Sequence, residues 1–256
     1  MLAGMAAAAL AGGEADAATC DASSGPRTAA LVELYTSEGC DSCPPADRWL
    51  SSLAAQGFGP ERVVPIALHV DYWDYIGWKD PYGKRQFSGR QKKMAALARS
   101  ALVYTPQVLL QGRDFRGWGT PAFAAAVDRI HARPAPVNIT LELSPARPGA
   151  LGARLTVSSP GGPLAGQPVA YLAAYENRLV SQVAAGENRG RTLEHDYVVL
   201  EWAGPFPLEE RRRLDLRREL PLLPKSDPGR SGVAAFVQDG AGGEVLQALM
   251  RPACPG

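Results

Sequence analysis

Apolar and polar positions follow two regimes along this chain. From Leu31 to His131, almost wholly apolar runs alternate with amphipathic stretches; beyond Pro136 only short runs remain, separated by Gly- and Pro-rich turns. Leu31–Thr36 and Val63–Val70 are nearly continuous in apolar character, as expected of strands buried on both faces. Between them Trp49, Leu50 and Leu53 mark one face of a helix that starts near Cys40 and stops at Gly57. Pro44 and Pro45 fall in its first turn, where a missing N–H costs little. The three elements predict a parallel β-α-β unit with a right-handed crossover.

A second helix is predicted from about Lys84 to Leu102, with Phe87, Met94, Ala98 and Ala101 near one face. Its bases (Lys84, Arg85, Arg90, Lys92, Lys93, Arg99) read as a solvated face, with attraction of an anionic partner as the alternative. Tyr104-Thr105-Pro106-Gln107 opens a third strand, Val108–Gln111, followed by a short strand Phe115–Trp118. Thr120-Pro121 then caps a helix reaching Arg133. The order β-α-β, helical insertion, β-β-α is that of a thioredoxin-like α/β domain over 20–134.

Beyond the boundary at 132–136, strands are expected at Val137–Leu143, Leu151–Val157, Val169–Glu176, Leu193–Glu201, Val233–Gln238 and Glu244–Met250. With no long amphipathic helix among them, an antiparallel β-sandwich-like domain is predicted over 137–256. The charged run Glu209–Glu219 fits an exposed strand with Leu214 and Leu216 alternating.

Composition narrows the function classes. A formal net charge of +1 over 256 residues gives no bulk electrostatic case for nucleic acid or an anionic membrane. The mature chain has no run near the ~18–20 apolar residues of a membrane span. Met1–Ala11 is small and apolar, and Ala15-Asp16-Ala17 offers a cleavage pattern, so 1–19 resembles a signal peptide without the usual basic start. Cys20 and Cys254, at opposite ends of the chain, suit a structural disulfide in an oxidising space. The expected location is periplasmic or secreted.

The candidate chemistry centres on Cys40-Asp41-Ser42-Cys43. A cysteine attacks as thiolate, and a helix N-terminus lowers its pKa. Cys40 is therefore the expected nucleophile and Cys43 the resolving thiol, while the charge of Asp41 opposes ionisation of its neighbour. Thr105-Pro106, expected to be cis, would dock the backbone of an extended substrate. Tyr72, Trp73 and Trp78 would either wall a substrate groove or pack the insertion onto the sheet. Glu33 is a candidate for proton transfer, with an edge-facing role as the alternative. His69, near Asp71, reads as a hydrogen-bonded structural histidine more readily than as a metal ligand. No cofactor or metal is expected.

The segments LVELYTSEGCDSCPPAD, LHVDYWDYIGWKDP, Arg90-Gln91, VYTPQV and GENRGRTLEHDYVV resemble a secreted bacterial thioredoxin-like family of unknown function. VELYTSEGC is also similar to the opening of glutaredoxins. The resemblance implies fold, export and a redox pair at Cys40 and Cys43, with Thr105 and Pro106 beside it. The expectation is a thiol-disulfide oxidoreductase acting on protein or small-molecule thiols. Two alternatives stay open: a binding module with a structural disulfide, and a copper(I) carrier using the same thiolates.

Overall fold

The computed structural model describes residues 19–147, 149–224 and 226–254. The expected signal peptide, apart from Thr19, lies outside them. The strands are β1 (Cys20–Ser23), β2 (Ala30–Thr36), β3 (Val63–His69), β4 (Gln107–Leu110), β5 (Arg113–Asp114), β6 (Asn138–Pro145) and β7 (Ala150–Ser158), then β8 (Pro168–Glu176), β9 (Leu179–Gln182), β10 (Thr192–His195), β11 (Val198–Pro207), β12 (Arg213–Pro221), β13 (Ser231–Asp239) and β14 (Val245–Pro252). The helices are α1 (Pro44–Ser52), α2 (Arg85–Leu97) and α3 (Pro121–His131).

This corrects the predicted fold class. The chain is β-rich, with fourteen strands and three α-helices among the described residues, rather than a thioredoxin-like α/β domain with a helical insertion followed by a separate sandwich. One mixed sheet of eight strands, in the order β14-β13-β8-β11-β3-β2-β4-β5, draws on both sides of the expected boundary. The join is a parallel pairing of β3 with β11 at Ala67 and Val198, where the Ala67 N–H donates to the Tyr197 carbonyl at 2.8 Å. An apolar run reports that both faces of a strand are covered. It does not report which strand takes its second edge, and here a strand from the far half of the chain does.

One core cluster spans both halves of the chain. Phe87 and Met94 of α2 pack with Leu31, Val64 and Ile66 from the first half and with Tyr171 and Phe236 from the second. Helix α2 therefore covers the shared sheet. On the other face α1 and α3 cover β2, β3 and β4, through Ala46, Leu50, Phe123 and Val127. A four-stranded sheet, β1-β6-β7-β12, covers β8 and β13 there, through Ile139, Leu141, Leu155 and Val157. Sandwich packing thus exists, but its inner sheet continues into the first half.

Arg90 also departs from its reading as part of a solvated face. It is 8% exposed, with Nε and Nη2 donating to Glu33 at 2.6 and 2.9 Å. Its guanidinium lies 4.6 Å from the Trp202 ring centroid, a cation–π contact that helps a buried charge. Other differences are local. Residues 115–118 form no strand, and Leu193–Glu201 breaks into β10 and β11 at Tyr197, whose φ is +58°. Strand β1, for which the hydrophobic pattern gave no sign, pairs Cys20 with Leu143 of β6. The disulfide Cys20–Cys254 ties this strand to the residues just after β14.

Candidate functional site

Strand β2 feeds a turn at Ser37–Gly39 and then Cys40, while Cys43 is the N-cap of α1, with Pro44 and Pro45 opening the helix. The helix thus begins four residues later than expected from the periodicity. Cys40 and Cys43 form a disulfide with Cα atoms 5.5 Å apart. Ser42 Oγ lies 3.4 Å from the Cys40 sulfur.

Both cysteines are fully buried. The loop between β9 and β10, in which the segment GENRGRTLEHDYVV begins, packs against this turn. Asn188, itself fully buried, donates from Nδ2 to the carbonyls of Glu38 and Cys40, both at 2.9 Å. Glu187 Oε2 accepts the Asp41 N–H at 3.1 Å. Glu187 and Asn188 thus tie this loop to the backbone on both sides of Cys40.

Behind the disulfide turn lies a cluster of buried ionisable groups. Glu38 accepts from Trp78 Nε1 at 2.8 Å through one oxygen and faces His195 Nε2 at 3.2 Å through the other. His195 Nδ1 lies 3.9 Å from Asp47 Oδ2, beyond hydrogen-bonding distance. His69 Nδ1 bonds Asp80 Oδ2 at 2.8 Å, and that oxygen also accepts the Glu38 N–H at 2.8 Å. The two imidazoles meet edge to face, with centroids 4.9 Å apart. Burial pushes the Asp47 carboxyl above the usual range, with His195 and His69 pulling against it. For His69, burial pulls the ring's pKa down, but Asp80, Asp47 and Glu38 outweigh it and hold the ring above its ordinary value. Asp80 is held low in spite of burial by His69 and by the N–H groups of Glu38 and Tyr82.

The sequence-selected residues divide. Cys40 and Cys43 are brought together, and Thr105-Pro106 is cis. Trp73 Nε1 donates to Thr105 Oγ1 at 2.7 Å, and its Cβ side packs against Gly39 next to Cys40. Tyr72 is half-buried and donates to Gln91 Oε1 at 3.2 Å. The polar atoms of Trp73, Trp78 and Tyr72 are thus engaged within the protein, and Tyr75, 81% exposed and stacked on Trp73, is the aromatic ring that faces solvent. Glu33 is spent on Arg90 and on the Tyr35 hydroxyl, which donates to it at 2.9 Å. His69 pairs with Asp80 rather than with its neighbour Asp71. Among the described residues no group of three His, Cys, Asp or Glu side chains has metal-binding geometry.

Asp47, Asp80, Glu38, His195 and Asn188 carry no role in the sequence reading, although all five fall inside the segments on which the family resemblance rests.

Two solved structures share the fold. A protein of Agrobacterium tumefaciens, known from its crystal structure, superposes with a TM-score of 0.62 at 22% identity, over 89% of this chain and 95% of its own. HBP35 of Porphyromonas gingivalis gives a TM-score of 0.66 at 16% identity, over 90% of this chain and 76% of its own. No curated protein matches. A family model matches residues 31–238, a span that takes in both cysteines of the pair, the aromatic loop and the covering hairpin. The chain belongs to the family described as protein of unknown function DUF1223.

Proposed function

We propose that this protein is a thiol-disulfide oxidoreductase of an extracytoplasmic compartment, acting on protein or small-molecule thiols. The observation that carries the reading is the Cys40–Cys43 disulfide at the start of α1, with a cluster of buried ionisable groups behind it. Location is inferred from two disulfides in a chain without a free cysteine among the described residues.

In the oxidising direction, a substrate thiolate attacks one sulfur of the pair and breaks the Cys40–Cys43 bond, forming a mixed disulfide with Cys40. A second substrate thiol then attacks that bond. The substrate leaves with one S–S bond, and two electrons and two protons remain on Cys40 and Cys43 as thiols. The reverse begins with Cys40 as nucleophile and ends with Cys43 resolving the mixed disulfide. Thr105-Pro106 and the Trp73–Tyr75 pair lie on the elements that would receive the substrate backbone.

The test compares wild type with Cys40→Ser on a model dithiol peptide. Turnover by wild type and background rates in the variant are expected; equal rates overturn the proposal. Cys43→Ser should accumulate mixed disulfides through Cys40. A second reading, a binding module with a permanent disulfide, is favoured by the full burial of both sulfurs. It predicts a reduction potential below that of the glutathione pool and no exchange with protein thiols.

A further inference from the structure

A cavity of about 490 Å³ lies where α3, the β4–β5 turn and the β13–β14 turn meet. Its volume falls in the range of roughly 300–1,000 Å³ that small-molecule sites occupy. It stands at the other end of the sheet from the cysteine pair. Strand β4 is antiparallel to β2, with Gln107 opposite Tyr35 and Leu110 opposite Val32, and the Cys40 turn follows the Tyr35 end. The walls are tied to one another. Arg113 Nη2 donates to the Gly242 carbonyl at 2.9 Å, and Gln111 Nε2 donates to the Val245 carbonyl at 3.0 Å. Gly112, at φ +77°, lets the two turns close, since a Cβ there would collide with the Gly243 carbonyl.

The lining is apolar where it is buried and cationic where it is exposed. Leu110 and Ala126 are buried and Ile130 half-buried, while the Phe115 ring meets Phe123 edge to face with centroids 6.3 Å apart. Three exposed arginines, Arg113, Arg129 and Arg133, share the cavity with two acids, Asp114 and Glu244. Both acids are committed. Glu244 accepts from Arg133 at 3.0 Å, and Asp114 accepts from Tyr104, Gln107 and Arg116. Arg129 forms no ion pair with an acid among the described residues.

We propose that this cavity is a binding site for a small aromatic carboxylate. The Arg129 guanidinium, which has no carboxylate of its own, takes the anionic end through two parallel N–H donors, the geometry in which arginine holds carboxylates. Arg113 adds a second positive charge at the same opening, with one N–H kept on Gly242. The ring of the ligand lies against Phe115, Leu110 and Ile130, where removing apolar area from water supplies the rest of the affinity. A neutral molecule of the same shape keeps that apolar contact and lacks the charge-assisted bond. The site goes beyond the oxidoreductase reading and does not rest on it, since none of its residues takes part in that chemistry.

The test titrates 2-naphthoate and its neutral amide, 2-naphthamide, into the full chain with both disulfides intact, followed by backbone amide chemical shifts. Saturable shifts are expected at residues 110–115 and 126–133. Naphthoate should bind about tenfold more tightly than the amide, the least that a charge-assisted hydrogen bond contributes. Arg129→Gln, at an exposed position of α3, should remove that margin and leave the affinity for 2-naphthamide where it was. Any one of four results overturns the proposal: no saturable shifts, shifts centred elsewhere on the protein, equal affinity for acid and amide, or wild-type affinity for naphthoate in Arg129→Gln. A cysteine pair that fails to exchange with a dithiol peptide sinks the oxidoreductase reading and leaves this site standing.

Discussion

Asn188 holds the carbonyl of Cys40 at 2.9 Å across 148 positions of sequence, and through this bond the β9–β10 hairpin lies over the disulfide. Removing the side-chain amide leaves the Glu38 and Cys40 carbonyls without that donor, a loss of about 1–3 kcal/mol. In Asn188→Ala the hairpin should open more often, and reduction of Cys40–Cys43 by a protein-sized thiol should accelerate roughly tenfold, since ~1.4 kcal/mol is a factor of ten. Alkylation followed by peptide mass analysis separates this pair from Cys20–Cys254. An unchanged rate means that the hairpin is no barrier.

The buried Glu33–Arg90 pair should behave as a stability element. Replacing Arg90 with Met strands a carboxylate that is fully buried and should cost about 3–5 kcal/mol. The double change Glu33→Gln with Arg90→Met should recover part of that loss, because no uncompensated charge remains. Denaturant midpoints for the single and double variants decide it, and a single variant as stable as wild type contradicts the assignment.

The long-range disulfide makes a separate contribution. Cys20 and Cys254 are 234 positions apart, so cross-linking them restricts the unfolded chain severely. Cys254→Ser should lower stability by about 2–5 kcal/mol while leaving the pH behaviour of the Cys40–Cys43 couple intact. Equilibrium unfolding of the oxidised proteins measures the first, and equilibration of that couple with dithiothreitol across pH the second.

His69 and Asp80 set opposite limits on a pH window. The raised pKa of folded His69 means that its stabilising contribution is complete below the ordinary histidine value of about 6.5 and is lost as pH climbs through the raised value. The lowered pKa of folded Asp80 means that its contribution is complete above the ordinary carboxylate value of about 4 and is lost as pH falls through the depressed one. The pair should therefore stabilise the fold most at mildly acidic pH. In Asp80→Asn, the gap in denaturant midpoint from wild type should be wide near pH 5.5 and narrow toward pH 9. A gap independent of pH contradicts the pairing as the source.

Much of the local structure was legible because single residues decide it. Thr120 and Pro121 begin α3 as their cap chemistry requires, and the apolar runs became β2 and β3. Leu214 and Leu216 alternate on β12 against charged neighbours, as the charged run suggested. What failed were relations between distant segments. Periodicity in Val63–His69 cannot name β11 as its neighbour, and so the shared sheet was read as two domains. Arg90 looked like one more base on a polar helix until Glu33, on the strand beneath, supplied its partner. The site followed the same rule: the cysteine pair advertised itself by spacing, whereas Asp47, His195 and Asn188 acquire meaning only from groups on other elements.

The Cys20–Cys254 link also changes what a cut in the backbone does. A protease that nicks any loop between those two residues divides the chain into two pieces that remain covalently joined at its far ends. Release then needs a second cut or a reductant. Cleaved protein would run as one species on a non-reducing gel and as two after reduction, so damage in a protease-rich compartment would leave the two pieces tethered to each other.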